Sequence, residues 1–280
     1  MKNVLAFGAG IQSTCLLLLA IEGAIKRPDY CIFSDTGWEP EKVYKHCEFC
    51  FKIGEKAGIK MVKVSNGNIK KDLKKSMKDS TRFASIPLFV LGQDGNKTIL
   101  RRQCTNEYKI KPMYEYFRRE ILGLKFRQHA PKHPVITNWL GITQDEIMRV
   151  KDSRDKWVLN EYPFLNWGEK FFDKNWHRYH CENWLRENYP ELDVPKSACI
   201  ICPYRDNKGW REIKENKEEF DEAIEFDEAC RNGLGKQDTL DGSLYLHRSC
   251  KPLGEVDLRS DEEKGQANMF NNECEGHCGI

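Results

Sequence analysis

A chain of 280 residues can bury one sizeable core, either as a single large α/β domain or as a main domain with an appendage. It is 31% charged, and no apolar run reaches the roughly 18 residues that a membrane span needs, so a cytoplasmic protein with no membrane partner is expected. Twelve cysteines in so large and charged a chain argue against a secreted disulfide framework and point instead to metal ligation or redox chemistry.

In chain order, Val4 to Phe7 is a short apolar run that predicts a strand, and Thr14 to Ile25 predicts a helix. Tyr30 to Phe33 predicts a second strand, Glu39 to Lys56 a second helix, and Met61 to Val64 a third strand. Strands alternating with helices predict a parallel sheet with right-handed crossovers, whose ligands bind beyond the carboxyl ends of the strands. Two turns lie there: Gly8-Ala9-Gly10, and Ser34-Asp35-Thr36-Gly37. Small residues let backbone amides approach an anion, and the helix that starts near Gln12 to Thr14 turns its positive end towards it. A tight turn with no ligand explains the glycines equally well. The loop lacks the Lys-Ser/Thr pair of a Walker motif and the glycine spacing of a dinucleotide fingerprint. The stretches from about 67 to 103 and from 232 to 280 carry no pattern that places them.

The net charge of +2 conceals a division along the chain. The segment 56–132 has roughly 13 more Lys and Arg than Asp and Glu, whereas 212–228 is dominated by acids. The basic segment could meet a nucleic acid, or it could be a solvated face opposing an acidic one. Arg101, Arg102, Lys109 and Lys111 flank Cys104 and could neutralise an anionic substrate.

Among the cysteines, Cys199-Ile-Ile-Cys202-Pro has the spacing that lets two thiolates reach one metal or cluster, but it is only half a site. The tail, Cys274-Glu-Gly-His277-Cys278, could complete a four-cysteine site, act as a mobile redox arm, or have no role. Cys47-Glu-Phe-Cys50, preceded by His46, falls within a predicted helix and reads as two packed thiols or a zinc pair. His177, His180 and Cys181 read as one face of an amphipathic helix, and Cys15, Cys31 and Cys230 as core thiols. His247, Arg248 and Cys250 end a short predicted strand.

The ordered motifs "FGAGIQST", "FSDTGWE", "RQCTNEYKIKP", "WLGITQDE", "YPFLNW" and "CIICPYR" span roughly residues 3 to 205. In that order they resemble the phosphoadenosine phosphosulfate (PAPS) reductase branch of the PP-loop adenine nucleotide α-hydrolase superfamily. The resemblance implies an α/β fold with a mainly parallel five-stranded sheet and flanking helices. It would divide into a nucleotide-binding domain over 1–165 and a helical, cysteine-rich C-terminal region over 166–280. It also implies ATP or another adenine nucleotide, with Mg2+, on Gly8, Ala9, Gly10, Gln12, Ser13 and Thr14. Asp35, Thr36, Gly37, Gly141 and Asp145 would complete the nucleotide site.

Catalytic roles would fall to Asp35, Cys104, Lys109 and Cys274. An iron–sulfur cluster, or alternatively Zn2+, would be held by Cys104, Cys199, Cys202, Cys274 and Cys278. Four departures bear on the chemistry. Gln12 stands where ATP-using relatives carry Asp, and Ile11 replaces their loop lysine or small residue. Thr105 replaces the second cysteine of a pair, which leaves a cluster position open or filled by another residue, and Thr143 replaces an arginine of the reductases. Asp145 could equally cap the following helix.

The activity implied is ATP-dependent adenylation followed by sulfur transfer to a nucleic-acid or small-molecule acceptor, with a sulfur or electron donor protein as partner. The alternatives are reduction of PAPS or adenylyl sulfate to sulfite, and a nucleotide-binding module without catalysis.

Overall fold

A computed structural model describes residues 1–79, 86–166, 171–231, 242–260 and 263. The chain forms two compact units that interleave in sequence. An α/β unit takes Met1–Asp35, Glu41–Ser65 and Lys109–Ser197, and a second unit takes Thr36–Pro40, Asn66–Tyr108 and Ala198–Ile280.

The α/β unit is built on five strands, all parallel. In chain order these are β1 (Lys2–Phe7), β2 (Tyr30–Ser34), β3 (Lys60–Val64), β6 (Ile136–Trp139) and β7 (Val158–Glu161). Their order across the sheet is β3-β2-β1-β6-β7. The register sets Val4 beside Tyr30 and beside Asn138, so β1 is the central strand. Central strands of a parallel sheet are covered on both faces, and all four residues of β6 are buried accordingly. The edge strand β3 carries exposed Lys60 and Lys63, which blunt it against pairing with another chain.

Helix α1 (Ile11–Ile21) follows β1, and α2 (Glu41–Lys56) follows β2. Residues Ser13 to Ala20 of α1 are all buried, and the helix packs on β1, α2 and α5 (Arg178–Asn188). A helix apolar on every side has no face to offer water and belongs in the interior. It begins three residues before the predicted start, because extended Gly10 serves as its N-cap. It ends four residues early because Gly23 adopts φ +79°, a left-handed conformation that stops a helix.

The second unit carries a small antiparallel sheet, ordered β5-β4-β8, from β4 (Phe89–Leu91), β5 (Lys97–Ile99) and β8 (Ser243–Tyr245). With it go α3 (Ile69–Asp79), α6 (Asn207–Glu215) and α7 (Lys217–Arg231). Helix α4 (Lys111–Tyr116) lies between wider π turns at Asn106–Ile110 and Phe117–Ile121, and the chain passes from the second unit to the α/β unit at Tyr108 and Lys109. The second core gathers Trp38, Ile69, Leu73, Leu88, Trp210 and Leu246. No helix among the described residues is long and apolar enough to cross a membrane.

Asp227, fully buried on α7, holds the end of this unit together. Its Oδ1 accepts the Leu246 amide and its Oδ2 the Leu253 amide, each at 2.8 Å, and Arg231 one turn away supplies the countercharge. Asp227→Ala removes two acceptors and leaves Arg231 with a lost partner. It is expected to cost about 3–5 kcal/mol, read as a lower urea midpoint, whereas Asp221→Ala on the exposed side of α7 changes the midpoint little.

Candidate functional site

The site begins where β1 gives way to α1. Ala9 between the two glycines is buried and has φ +58°, a conformation that costs a residue with a Cβ about 1–2 kcal/mol. Ser13 secures the turn: its Oγ accepts the amides of Gly8 at 3.2 Å and Gly10 at 3.3 Å and donates to the Gly10 carbonyl at 3.1 Å. The first intrahelical bond runs from the Thr14 amide to the Gly10 carbonyl. The amides of Ile11, Gln12 and Ser13 therefore precede the hydrogen-bond ladder and face outward with the positive end of the helix dipole.

Three glycines let backbone and neighbours close on this turn. A Cβ on Gly8 would lie 3.1 Å from Ser197 Oγ, and one on Gly10 would lie 3.1 Å from Ser197 Cβ. A Cβ on Gly141 would come within 3.2 Å of both Gln12 Cβ and the Ser13 amide nitrogen. Gly141 belongs to the loop after β6, and β2 and β6 flank β1 on opposite sides. The connection reverses direction here, at the crevice where open α/β sheets bind ligands.

The loop after β6 is tied to α1 and α5 by polar side chains. Gln12 Nε2 donates to Glu146 Oε2 at 3.2 Å. Asp145 accepts the Arg178 amide at 2.5 Å and the Thr143 hydroxyl at 3.2 Å, and its Oδ1 lies 2.8 Å from His177 Nδ1. Burial works against the Asp145 charge, but the Arg178 amide and His177 outweigh it and hold the carboxyl below its usual range. Asp145 thus reaches back to the start of α5, whose own cap is His177.

Thr14 is fully buried and its Oγ1 lies 2.9 Å from His46 Nε2 on α2, so its hydroxyl joins α1 to α2. Burial pushes His46 down to about 4, slightly opposed by Asp193. Asp35, at the end of β2, accepts from the Tyr44 hydroxyl at 2.8 Å and pairs with Lys63 at 2.7 Å. The backbone carbonyl of Lys109 accepts from Ser34 Oγ at 2.8 Å, which fixes the Lys109 turn against the end of β2.

Thr36 and Gly37, though next in sequence, belong to the second unit. Gly37 has φ +75°, and a Cβ there would strike the Asn68 side chain at 2.4 Å. Thr36 Oγ1 donates to Glu39 Oε1 at 3.1 Å and meets Cys199 Sγ at 3.2 Å, with Glu39 Oε1 also 3.6 Å from that sulfur. The buried Arg205 guanidinium braces the CxxC turn by donating to the carbonyls of Ala198 at 2.6 Å and Cys199 at 3.0 Å.

Cys104, Cys199 and Cys202 are partly exposed, while the other seven described cysteines, including Cys47 and Cys50, are buried. Cys104 packs at the edge of the second core, and the Thr105 hydroxyl beside it is buried with no hydrogen-bond partner. Among the described residues no three Cys, His, Asp or Glu side chains group as metal ligands. Cys274 and Cys278 lie outside the described residues.

Ser197 and His177 are the site residues that motif reading misses. Ser197 is far from Gly8 in sequence and carries no local signal, while His177 looks like one polar position on a helix.

No family model matches the sequence, and no curated protein does. Among solved structures the chain is similar to the crystal structure of phosphoadenylyl-sulfate (PAPS) reductase from Candida auris in a phosphate complex. The identity is 13%, with 70% of this chain and 75% of that chain covered, at a TM-score of 0.41.

Two substitutions test this geometry. Gly141→Ala places a methyl against the backbone of Gln12 and Ser13, which cannot rotate away, and should lower stability by about 1–3 kcal/mol in chemical denaturation. For His46, the folded state binds a proton more weakly than the unfolded chain. Its contribution is whole above about pH 6.5 and is lost as pH falls towards 4, with a slope of up to about 1.4 kcal/mol per pH unit. Urea midpoints across that window should fall more steeply for the wild type than for His46→Gln.

Proposed function

We propose that the chain is an enzyme that binds an adenine nucleotide on the Gly8 to Ser13 turn and uses it to activate an acceptor for sulfur transfer. The observation that carries this reading is the junction of β1 and α1. It combines unladdered helix amides, two glycines backed by Ser197, and Gly141 pressed against the first turn of α1 at the sheet's switch point. The same residues carry the resemblance to the PAPS reductase branch of the PP-loop superfamily.

In this reading the phosphates of MgATP lie over the turn. An acceptor oxygen attacks the α-phosphorus, pyrophosphate departs, and a sulfur nucleophile then displaces AMP from the adenylated acceptor. Positioning and charge stabilisation supply most of the rate in such transfers, and a rigid turn of backbone donors suits both. Asp35 is already fixed by Tyr44 and Lys63, so its role is to shape the end of β2 beside the turn. The excess positive charge of residues 56–132 favours a nucleic-acid acceptor, whose phosphates Lys and Arg would contact. Sulfur would come from a persulfide on a donor protein: its outer sulfur bonds the acceptor as AMP leaves, and a second thiol then attacks the resulting disulfide and releases the thiolated product.

Anaerobically purified protein incubated with MgATP, with and without RNA or DNA, should release pyrophosphate and AMP, faster when the acceptor is present. Gly10→Val, which drives a larger side chain against Ser197, should weaken nucleotide binding at least about tenfold. Sulfite released from PAPS and a dithiol, with no pyrophosphate from ATP, would overturn the reading in favour of sulfonucleotide reduction. Nucleotide binding without either product would mark a binding module.

A further inference from the structure

His177 is the first residue before α5, and several hydrogen bonds fasten that corner to the loop after β6. The Gln144 amide donates to the Trp176 carbonyl at 2.8 Å, and Asn175 Nδ2 donates to Gln144 Oε1 at 2.8 Å. Asp145 takes both the Arg178 amide and His177 Nδ1. The next residue, Glu146, takes Gln12 from the first turn of α1. The imidazole is thereby tied to a loop that itself bonds the first turn of α1.

Orientation of the ring follows from Asp145. An ionised carboxylate only accepts hydrogen bonds, so the proton of a neutral ring lies on Nδ1 and the lone pair on Nε2. The side chain remains 42% exposed, so a substrate can reach it. Against the ring stand Asp145, Tyr179 stacked at 5.6 Å and His180 at 5.8 Å. A carboxylate that fixes the tautomer of a reachable imidazole is the arrangement by which a histidine serves as a positioned base.

We propose that His177, oriented by Asp145, is the general base of the nucleotide site and takes the proton from the acceptor oxygen as it attacks. The inference rests on the adenylation reading. The acceptor oxygen forms a bond to the α-phosphorus, and the bond from that phosphorus to the bridging oxygen breaks. Pyrophosphate leaves with the electron pair, and the acceptor's proton passes to His177 Nε2 and then to water.

The test has a readout that needs no turnover. Nitrogen-edited NMR of the full chain at neutral pH should show His177 as the Nδ1–H tautomer. Its ring signals should shift on saturation with α,β-methylene-ATP and Mg2+, together with the Gly8 and Gly10 amides. Shifts at Gly8 and Gly10 with His177 unmoved, or an Nε2–H tautomer, would overturn the proposal and leave the nucleotide site standing. No shift at either place would overturn the nucleotide reading and the proposal with it.

In turnover, His177→Gln should lower pyrophosphate release about 10²–10⁴-fold while nucleotide affinity changes less than about threefold. Added imidazole should restore part of the rate to His177→Gly, which a purely structural role for the ring would not allow. A full rate in His177→Gln would overturn the assignment.

Discussion

The α/β unit depends on the burial of α1. Eight consecutive residues, Ser13 to Ala20, are shielded from water, and four of them are leucines. Fully burying each leucine is worth about 1.5–3 kcal/mol relative to exposure. The helix therefore has one place to be, against the centre of the sheet, and its N-terminus is delivered to the end of β1. The strained Ala9, the Ser13 hydroxyl bridging two amides and the close approach of Gly141 all follow from bringing the start of a buried helix to the end of a buried strand. A surface helix would leave the turn free to relax, and its amides would be hydrated.

Local pattern exposed this part of the fold in the sequence. The apolar run ending at Phe7, the glycines, the leucine stretch and the second run at Tyr30 are each short-range signals, and β1, α1 and β2 form where they point. The ends moved for reasons that are also local: Gly10 caps α1 and Gly23 terminates it. The region from 67 to 103 was harder, because α3 is dominated by lysines and shows few core positions, chiefly Ile69 and Leu73. Its hairpin does carry a local mark, the Asp94-Gly95 pair, where Gly95 has φ +79° and the Gly92 amide bonds the Asn96 carbonyl.

The polar parts of the site were less legible because they depend on pairs remote in sequence. Gly8 names a turn, but nothing near it names Ser197 as the residue behind it. Asp145 reads equally as a helix cap or a ligand, and only the fold shows that it accepts the first amide of a helix 33 residues away while holding His177. The cysteines show the same limit. Cys47 and Cys50 share the spacing of Cys199 and Cys202, yet the first pair is buried beside His46 while the second is braced by Arg205 and reached by Thr36. Spacing defines what two thiols could reach together, whereas burial determines whether anything can reach them.

The interleaving of the two units has a consequence for how the chain acquires its structure. The polypeptide crosses from one unit to the other five times, so neither is a continuous stretch that could be cut out whole. During synthesis the turn at residues 8 to 13 emerges early, but α5 and Ser197 emerge only after most of the chain has been made. Until then the leucines of α1 lack part of their cover, and contacts of such long sequence separation close slowly. The nascent chain must keep its most apolar helix from aggregating through the synthesis of about 160 further residues, a natural point for a chaperone to intervene.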